Sequence, residues 1–359
     1  MTAGYADYGS TAGPTGSRWL WIIGGIVGFF VAAAVGIISL GGFDTDVKGA
    51  NQWALVLAIA VLAGFLVYAA LEYMQTRRLT SITREFDTRT LVLMPVAIAF
   101  NVVLGQAVGT ALKIPIYLDS IGTILVGALA GPFAGALTGL LSNLLWSYVL
   151  PPPFHNDYSG AFAVVAAIIG VLAGVFARIG WLRPRPNRNV GQLAIGAIVA
   201  IGLVLVLAWL AYLGYGAVVE FAPLGDDVVF QLLGWVALAL VVVTVIGLVL
   251  LLFVRRDLTA AYVVVAGVIT GLVAAAISAP ISANVFGGVT GAGTDFIVLA
   301  FRQAGADISA ATLGQGLISD PIDKVVTFFV VYMILGALAT RTKARFPQGE
   351  KLVAPETGL

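Results

Sequence analysis

Tyr117 and Asp119, followed by Asn143, Trp146, Tyr148, His155, Asn156, Asp157 and Tyr158, gather polar and aromatic side chains at the ends of apolar stretches. An indole or phenol ring offers a stacking face to a flat molecule, and amide, carboxylate and imidazole groups fix its orientation by hydrogen bonds. Small-molecule pockets have this make-up, mostly apolar with a few placed polar groups. Trp146 or Tyr117 is the candidate stacking face, with Asp119, Asn143 or His155 as hydrogen-bond partners. Trp and Tyr also anchor helices at a membrane interface with no ligand involved. Asn101 and Gln106 lie inside AFNVVLGQAVGTAL, where a buried amide needs a partner, either a neighbouring helix or a ligand. Asn101, Gly105 and Gly109 share one helical face at four-residue spacing. Asn284 and Asp295 bracket a glycine-rich run, NVFGGVTGAGTD, a candidate loop over a pocket.

These groups read as binding chemistry. There is no cysteine, hence no thiolate nucleophile or cysteine metal site, and the single histidine cannot build a histidine-rich one. No GxxxxGK[ST] loop, HExxH or GxSxG occurs; GGVTGAG at 287–293 lacks the lysine. The expectation is a non-enzyme without cofactor or metal. A net charge of +1 gives no reason to expect a nucleic-acid partner.

The elements that must position these residues are membrane helices. The 359 residues are 60% hydrophobic and 10% charged, with a mean hydropathy of +1.02, against about 25% charge in soluble domains. The apolar runs predict an all-α polytopic protein with about ten spans: Trp19–Leu40, Trp53–Met74, Leu91–Leu112, Ile121–Ala130, Pro132–Leu150, Ala161–Ile179, Val190–Gly214, Val228–Val254, Thr259–Ala279 and Lys324–Thr340. The first is expected to stay in the mature protein, since the stretch before it is polar and lacks a signal peptide's basic region. With both termini inside, only Lys48, Lys113, Arg302 and Lys324 of the 19 basic residues fall outside, leaving 15 inside.

Between Asp119 and Leu150 a small or polar residue recurs every fourth position: Gly127, Gly131, Gly135, Gly139, Asn143. Stacked glycines let another backbone approach, and Gly131-Pro132 is a turn signal. The reading is two short helices folded back on each other along a glycine seam. Residues 1–90 form a polar tail and a two-helix segment with a basic linker. Residues 91–345 carry the polar-studded helices, with 190–257 a featureless Val/Leu-rich pair and 346–359 a disordered tail. FIVLAFRQAG and ISAATLGQGLIS read as short interfacial helices. In DPIDK, Asp320 reads as an N-cap, Pro321 as the first helical position and Asp323 as a first-turn acid. Lys324, unfavourable at a helix start, calls for a partner such as Asp119 or Asp295. On this reading no charge falls well inside an apolar span, which disfavours a proton-driven pump.

LMPVAIAFNVVLGQ and IPIYLDSIGTILVGALAGPFAGALTGLLSNLL, with ISANVFGGVTGAGTD and DPIDKVVTFFVVYMILGALATR, resemble the substrate-binding S components of energy-coupling-factor vitamin transporters. The resemblance covers about residues 91–180 and 259–345. It implies a six-helix core that binds a vitamin-like molecule near the outer face, and association with a membrane T component and cytoplasmic ATPases. Residues 1–90 and 190–257 are then an extra and an inserted helix pair. The family's Ala-xxx-Ala coupling surface reads Ala97-Ile-Ala-Phe-Asn101 here, with asparagine in place of the second alanine. A membrane sensor with the same ligand-binding core and a stand-alone secondary transporter are the alternatives.

Overall fold

The computed structural model describes residues 15–41, 47–111, 116–186, 188–221, 235, 239 and 242–353, which contain helices and turns and no strand. Among them, six helices are long and apolar enough to cross a membrane: Trp19–Leu40, Lys48–Thr76, Thr88–Gly109, Ser159–Arg178, Val190–Gly216 and Thr259–Phe286. Their apolar residues do not all turn inward. Val92, Val96, Phe100 and Val103 form an exposed stripe on one helix, and Ile195, Ile198, Leu205 and Trp209 are exposed on another. Contiguous apolar surface is unfavourable in water and at home in lipid. The outside of the bundle is therefore built for a bilayer.

Helix α1 (Thr15–Leu40), the part of α2 (Val47–Thr76) from Val56 onward and most of α3 (Thr80–Thr83) belong to one compact unit. Within it Gly25 and Gly64 let the two long helices touch: a Cβ on Gly64 would lie 2.7 Å from the Gly25 carbonyl oxygen. The Trp21 indole N–H donates to Gln75 Oε1 at 2.8 Å, and buried Glu72 accepts the Ser81 amide at 2.8 Å.

The second unit holds the remaining helices. They are α4 (Thr88–Gly105), continued by a π turn to Ala111, α5 (Ile121–Ala130), α6 (Pro132–Tyr148), α7 (Ala163–Arg178), α8 (Val190–Phe221), α9 (Val242–Val254), α10 (Thr259–Phe286), α11 (Asp295–Gln303), α12 (Ile308–Ala337) and α13 (Thr340–Lys343). Helix α4 starts where the Asp87 carboxylate accepts the Thr90 amide at 2.8 Å, an N-cap bond. The expected glycine hairpin is α5 and α6, joined at Gly131, whose φ of 137° only glycine adopts without strain. Its third partner is α7. A Cβ on Gly127 or on Gly135 would lie 2.7 Å from the Gly170 carbonyl oxygen, and one on Gly139 would strike the Ala166 carbonyl. Three backbones thus meet with no side-chain layer between them. Helix α5 has ten residues, so at 1.5 Å each it spans about 15 Å.

Three expectations change. Helix α12 runs unbroken through DPIDK, so Asp320 is not an N-cap; Asp307 is, accepting the Ala310 amide at 2.8 Å. At this proline Gly267 and Gly271 of α10 bring the two helices into backbone contact, at Val325 and Pro321. ISAATLGQGLIS is accordingly the first half of α12 rather than a separate interfacial helix, whereas FIVLAFRQ does form the amphipathic α11. The expected disordered tail is ordered as far as Val353. There Gln348 donates its amide to Leu129 O at 2.8 Å and its side chain to Gly127 O and Gly174 O at 3.2 and 3.1 Å. Gly127 and Gly174 both belong to the glycine seam. Much of EFAPLGDD, most of the first half of the Val228–Val254 span and residues 354–359 lie outside the described residues.

Beside Gln348, Glu85 closes the hairpin's turn. Its Oε2 accepts the amides of Phe133 and Ala134 at 2.7 and 3.1 Å, and its Oε1 accepts Arg178 Nη2 at 2.9 Å. Burial pushes this carboxyl from its ordinary 4.5 to about 7, outweighing the bonds from Ala134, Arg178 and Phe133 that favour the anion. Between those values the folded state holds more proton than the unfolded chain. Glu85's contribution to stability is therefore present below 4.5 and lost as pH rises through 7. Thermal melts in detergent between about pH 5 and pH 8 should fall with rising pH, by at most about 1.4 kcal/mol per pH unit from this group. Glu85→Gln should remove that part of the slope, and an identical slope in the variant would rule it out.

Candidate functional site

A cavity of about 130 Å³ lies among the ends of α4, α5, α6, α7, α10 and α12. That is roughly ten times the space one water needs, so it has room for a small organic molecule. Gly105 and Gly109 form its α4 wall, Asn143 and Trp146 come from α6, and Phe162, Val165, Ala166 and Ile169 come from the start of α7 and the turn before it. Ala274 and Ser278 of α10, with Gln315, Asp320 and Lys324 of α12, line the other side. Tyr117, Asp119 and Ser120 enter from the segment before α5, while Asn156, Tyr158, Ser159, Thr290 and Ala292 enter from two loops.

Spacing explains the α4 wall. Asn101, one turn before Gly105, is buried. It donates to Thr123 Oγ1 at 2.8 Å and Ser142 Oγ at 3.0 Å, and accepts the Gly122 amide at 2.7 Å. It ties α4, α5 and α6 together below the cavity. Above it the two glycines leave space, and the Trp146 ring fills part of that space. A Cβ on Gly105 would lie 2.8 Å from Trp146 Cζ3 and 2.9 Å from Asp119 Cβ. The indole and the carboxylate are thus neighbours. Trp146 is held from behind as well: its carbonyl accepts the Asn156 amide at 3.3 Å, and the next residue's hydroxyl, Ser147 Oγ, donates to Asn156 O at 2.6 Å.

The polar side of the cavity is organised by Asp323. Its Oδ1 accepts two successive amides, Tyr117 and Leu118, at 3.0 and 2.8 Å. Leu118 has a φ of 52°, the left-handed conformation that turns consecutive N–H groups toward one anion. Oδ2 of Asp323 accepts Lys324 Nζ, which also lies 3.9 Å from Asp119 Oδ1. Asp320, one turn before Lys324, accepts Ser278 Oγ at 3.2 Å and Ser319 Oγ at 3.1 Å. Asp320, Asp323 and Lys324 are all buried. Tyr117 in turn shares a hydrogen bond with Thr294 at 2.8 Å, linking the segment to the glycine-rich loop. Among the described residues, two buried side-chain atoms on cavity-lining residues have no hydrogen-bond partner: Trp146 Nε1 and Ser120 Oγ, on residues 4% and 2% exposed.

Of the nine candidate ligand contacts, Tyr117, Asp119, Asn143 and Trp146 meet at the cavity, joined by Asn156 and Tyr158 of the same polar cluster. The other five do not line it. Asn101 is a tie between helices. Gln106 sits at the start of the π turn with its Oε1 unpartnered, away from the lining. His155 faces the surface and pairs with Asp157 at 2.8 Å. Exposed Asn284 donates back to the Pro280 carbonyl at 2.8 Å. Asp295 holds the glycine-rich loop by accepting the Gly291 amide at 2.8 Å and Thr290 Oγ1 at 2.9 Å; Thr290 reaches the cavity and Asp295 does not. Lys324 does lie 3.9 Å from Asp119, but from the middle of α12 and not from a helix start, so the reason for expecting a partner does not hold. Ser120, Ser278, Gln315 and Asp320 were missed. Reading Pro321 as a helix start turned Asp320 into a cap; the four-residue spacing of Asp320 and Lys324 was the available signal.

No family model, curated protein or solved structure matches this chain.

Asp323 carries a testable load. Breaking a buried charge pair by removing one partner typically costs about 3–5 kcal/mol, and here two backbone amides lose their acceptor too. Asp323→Ala should abolish folded yield in detergent, whereas His155→Ala at the surface should stay within about 0.5 kcal/mol of wild type. A normally folded Asp323→Ala protein would contradict the assignment.

Proposed function

We propose that this chain is the substrate-binding membrane subunit of an energy-coupling-factor importer for a vitamin or related micronutrient. It would sit in the cell membrane with about ten spans and both termini cytoplasmic. The six-helix core binds the ligand, and the helix pairs at 1–90 and 190–257 are additions to it. A membrane T component and cytoplasmic ATPases supply the energy, in keeping with the lack of a nucleotide-binding loop in the sequence. The observation that carries this reading is the cavity in the bundle, walled by Trp146 and the α4 glycines, with two buried polar atoms still wanting a partner. A nine-tenths-buried polar group without a protein partner is costly, and a bound molecule can supply that partner.

Mass spectrometry of small molecules that co-purify with the protein tests this directly. Trp146→Ala should weaken binding of the identified compound by about ten- to a hundredfold, a loss of about 1.4–2.8 kcal/mol. The protein alone in liposomes should bind it and not concentrate it.

The buried charges Asp320, Asp323 and Lys324, with half-buried Asp119 beside them, favour a second reading, a secondary transporter, because ionisable groups in a membrane bundle often mark ion pathways. Concentrative uptake by the lone chain under a proton or sodium gradient would establish that reading in place of the first.

Orientation is tested by labelling in this cysteine-free background. A cysteine at Asp157 should react with an impermeant reagent added outside intact cells, and one at Arg188 should not. The opposite pattern reverses the topology and places the cavity at the cytoplasmic face.

A further inference from the structure

Formal charge around the cavity is out of balance. Asp119, Asp320 and Asp323 meet a single ammonium, Lys324, which is the one cationic side chain among the described residues lining it. Asp323 is fully committed, to Lys324 on one oxygen and to two backbone amides on the other. Asp119 and Asp320 therefore lack a full counter-charge. Lys324 is 3.9 Å from the first, and the second accepts hydroxyl donors from Ser278 and Ser319. An uncompensated carboxylate in a buried site is unfavourable unless it takes up a proton or a cation joins it; Asp320 is buried and Asp119 is partly so.

The unpartnered atoms add an independent constraint. Trp146 Nε1 can only donate, so a molecule beside it must present an acceptor. Ser120 Oγ can donate or accept. The indole and the Asp119 side chain flank the same glycine, Gly105, so a molecule beside the indole is also close to Asp119. A cation over an indole gains a further attraction from the ring's negative face.

We propose that the cavity selects an organic cation. It would be a flat, positively charged or amine-bearing ring beside Trp146, with its charge matched to Asp119 and Asp320 and an acceptor atom on the Trp146 N–H. This rests on the reading of the chain as a small-molecule binder and narrows the class of molecule bound.

The test uses one ring in three charge states: 1-methylnicotinamide, nicotinamide and nicotinate, titrated into the full-length protein in detergent by calorimetry. The cation should bind at least about tenfold more tightly than the other two, a difference of about 1.4 kcal/mol. Asp119→Asn should bring the preference near unity while leaving the melting temperature close to wild type, since Asp119 is partly exposed. Asp320→Asn should likewise bring the preference near unity and serves as a second variant. Equal binding of the three, tightest binding of nicotinate, a preference unchanged in both variants, or no binding of the cation up to millimolar concentration overturns the proposal. A neutral or anionic compound found co-purifying, and lost in Trp146→Ala, leaves the binding reading intact and overturns the cation. With no co-purifying compound and no probe bound, both fall.

Discussion

A carboxylate with no access to water holds the candidate site in shape. Asp323 is completely buried, and such a group persists only where every lone pair is met and a cation stands beside it. Its demands reach across the chain. It fixes two amides some two hundred residues away, in a segment whose left-handed Leu118 would otherwise relax. It also holds the Lys324 ammonium near Asp119. Remove that carboxylate and the start of α5, the wall carrying Tyr117 and the placement of the one lining cation all lose their anchor together.

Around that anchor the bundle is assembled by absence of side chains. Gly127, Gly135, Gly139, Gly170 and Gly174 bring α5, α6 and α7 into backbone contact, and Gly267 and Gly271 do the same for α10 and α12. In lipid no hydrophobic force draws helices together, so close packing and interhelical hydrogen bonds must do it. Asn101, bonded to both α5 and α6, supplies the bonds where the glycines supply the contact. The same logic leaves a gap at Gly105 and Gly109, where no helix closes in, and the cavity occupies it.

Much of this was legible in the residues. Hydropathy marked the helices, and four-residue spacing marked the hairpin, its turn at Gly131 and the α4 face. Four of the nine site residues meet because they lie at helix ends that the hairpin brings together. The rest was hidden for identifiable reasons. A proline after an aspartate is a strong start signal, and the α10 glycines that pack against Pro321 inside α12 lie fifty residues away in sequence. Gln348 sits in a polar tail whose composition gives no sign that three helix carbonyls need it. His155, Asn284 and Asp295 have the right chemistry but are occupied within their own loops, which spacing alone does not reveal.

The glycine seam has a genetic side. Any single-base change in a glycine codon that alters the residue adds a Cβ, because every other residue has one. At Gly122, Gly127, Gly135, Gly139, Gly170 and Gly174 that Cβ would meet main-chain atoms of a neighbouring helix or turn, which cannot rotate aside as a side chain can. Missense mutations at these codons have no mild form, so the damage they cause should depend little on which amino acid arrives.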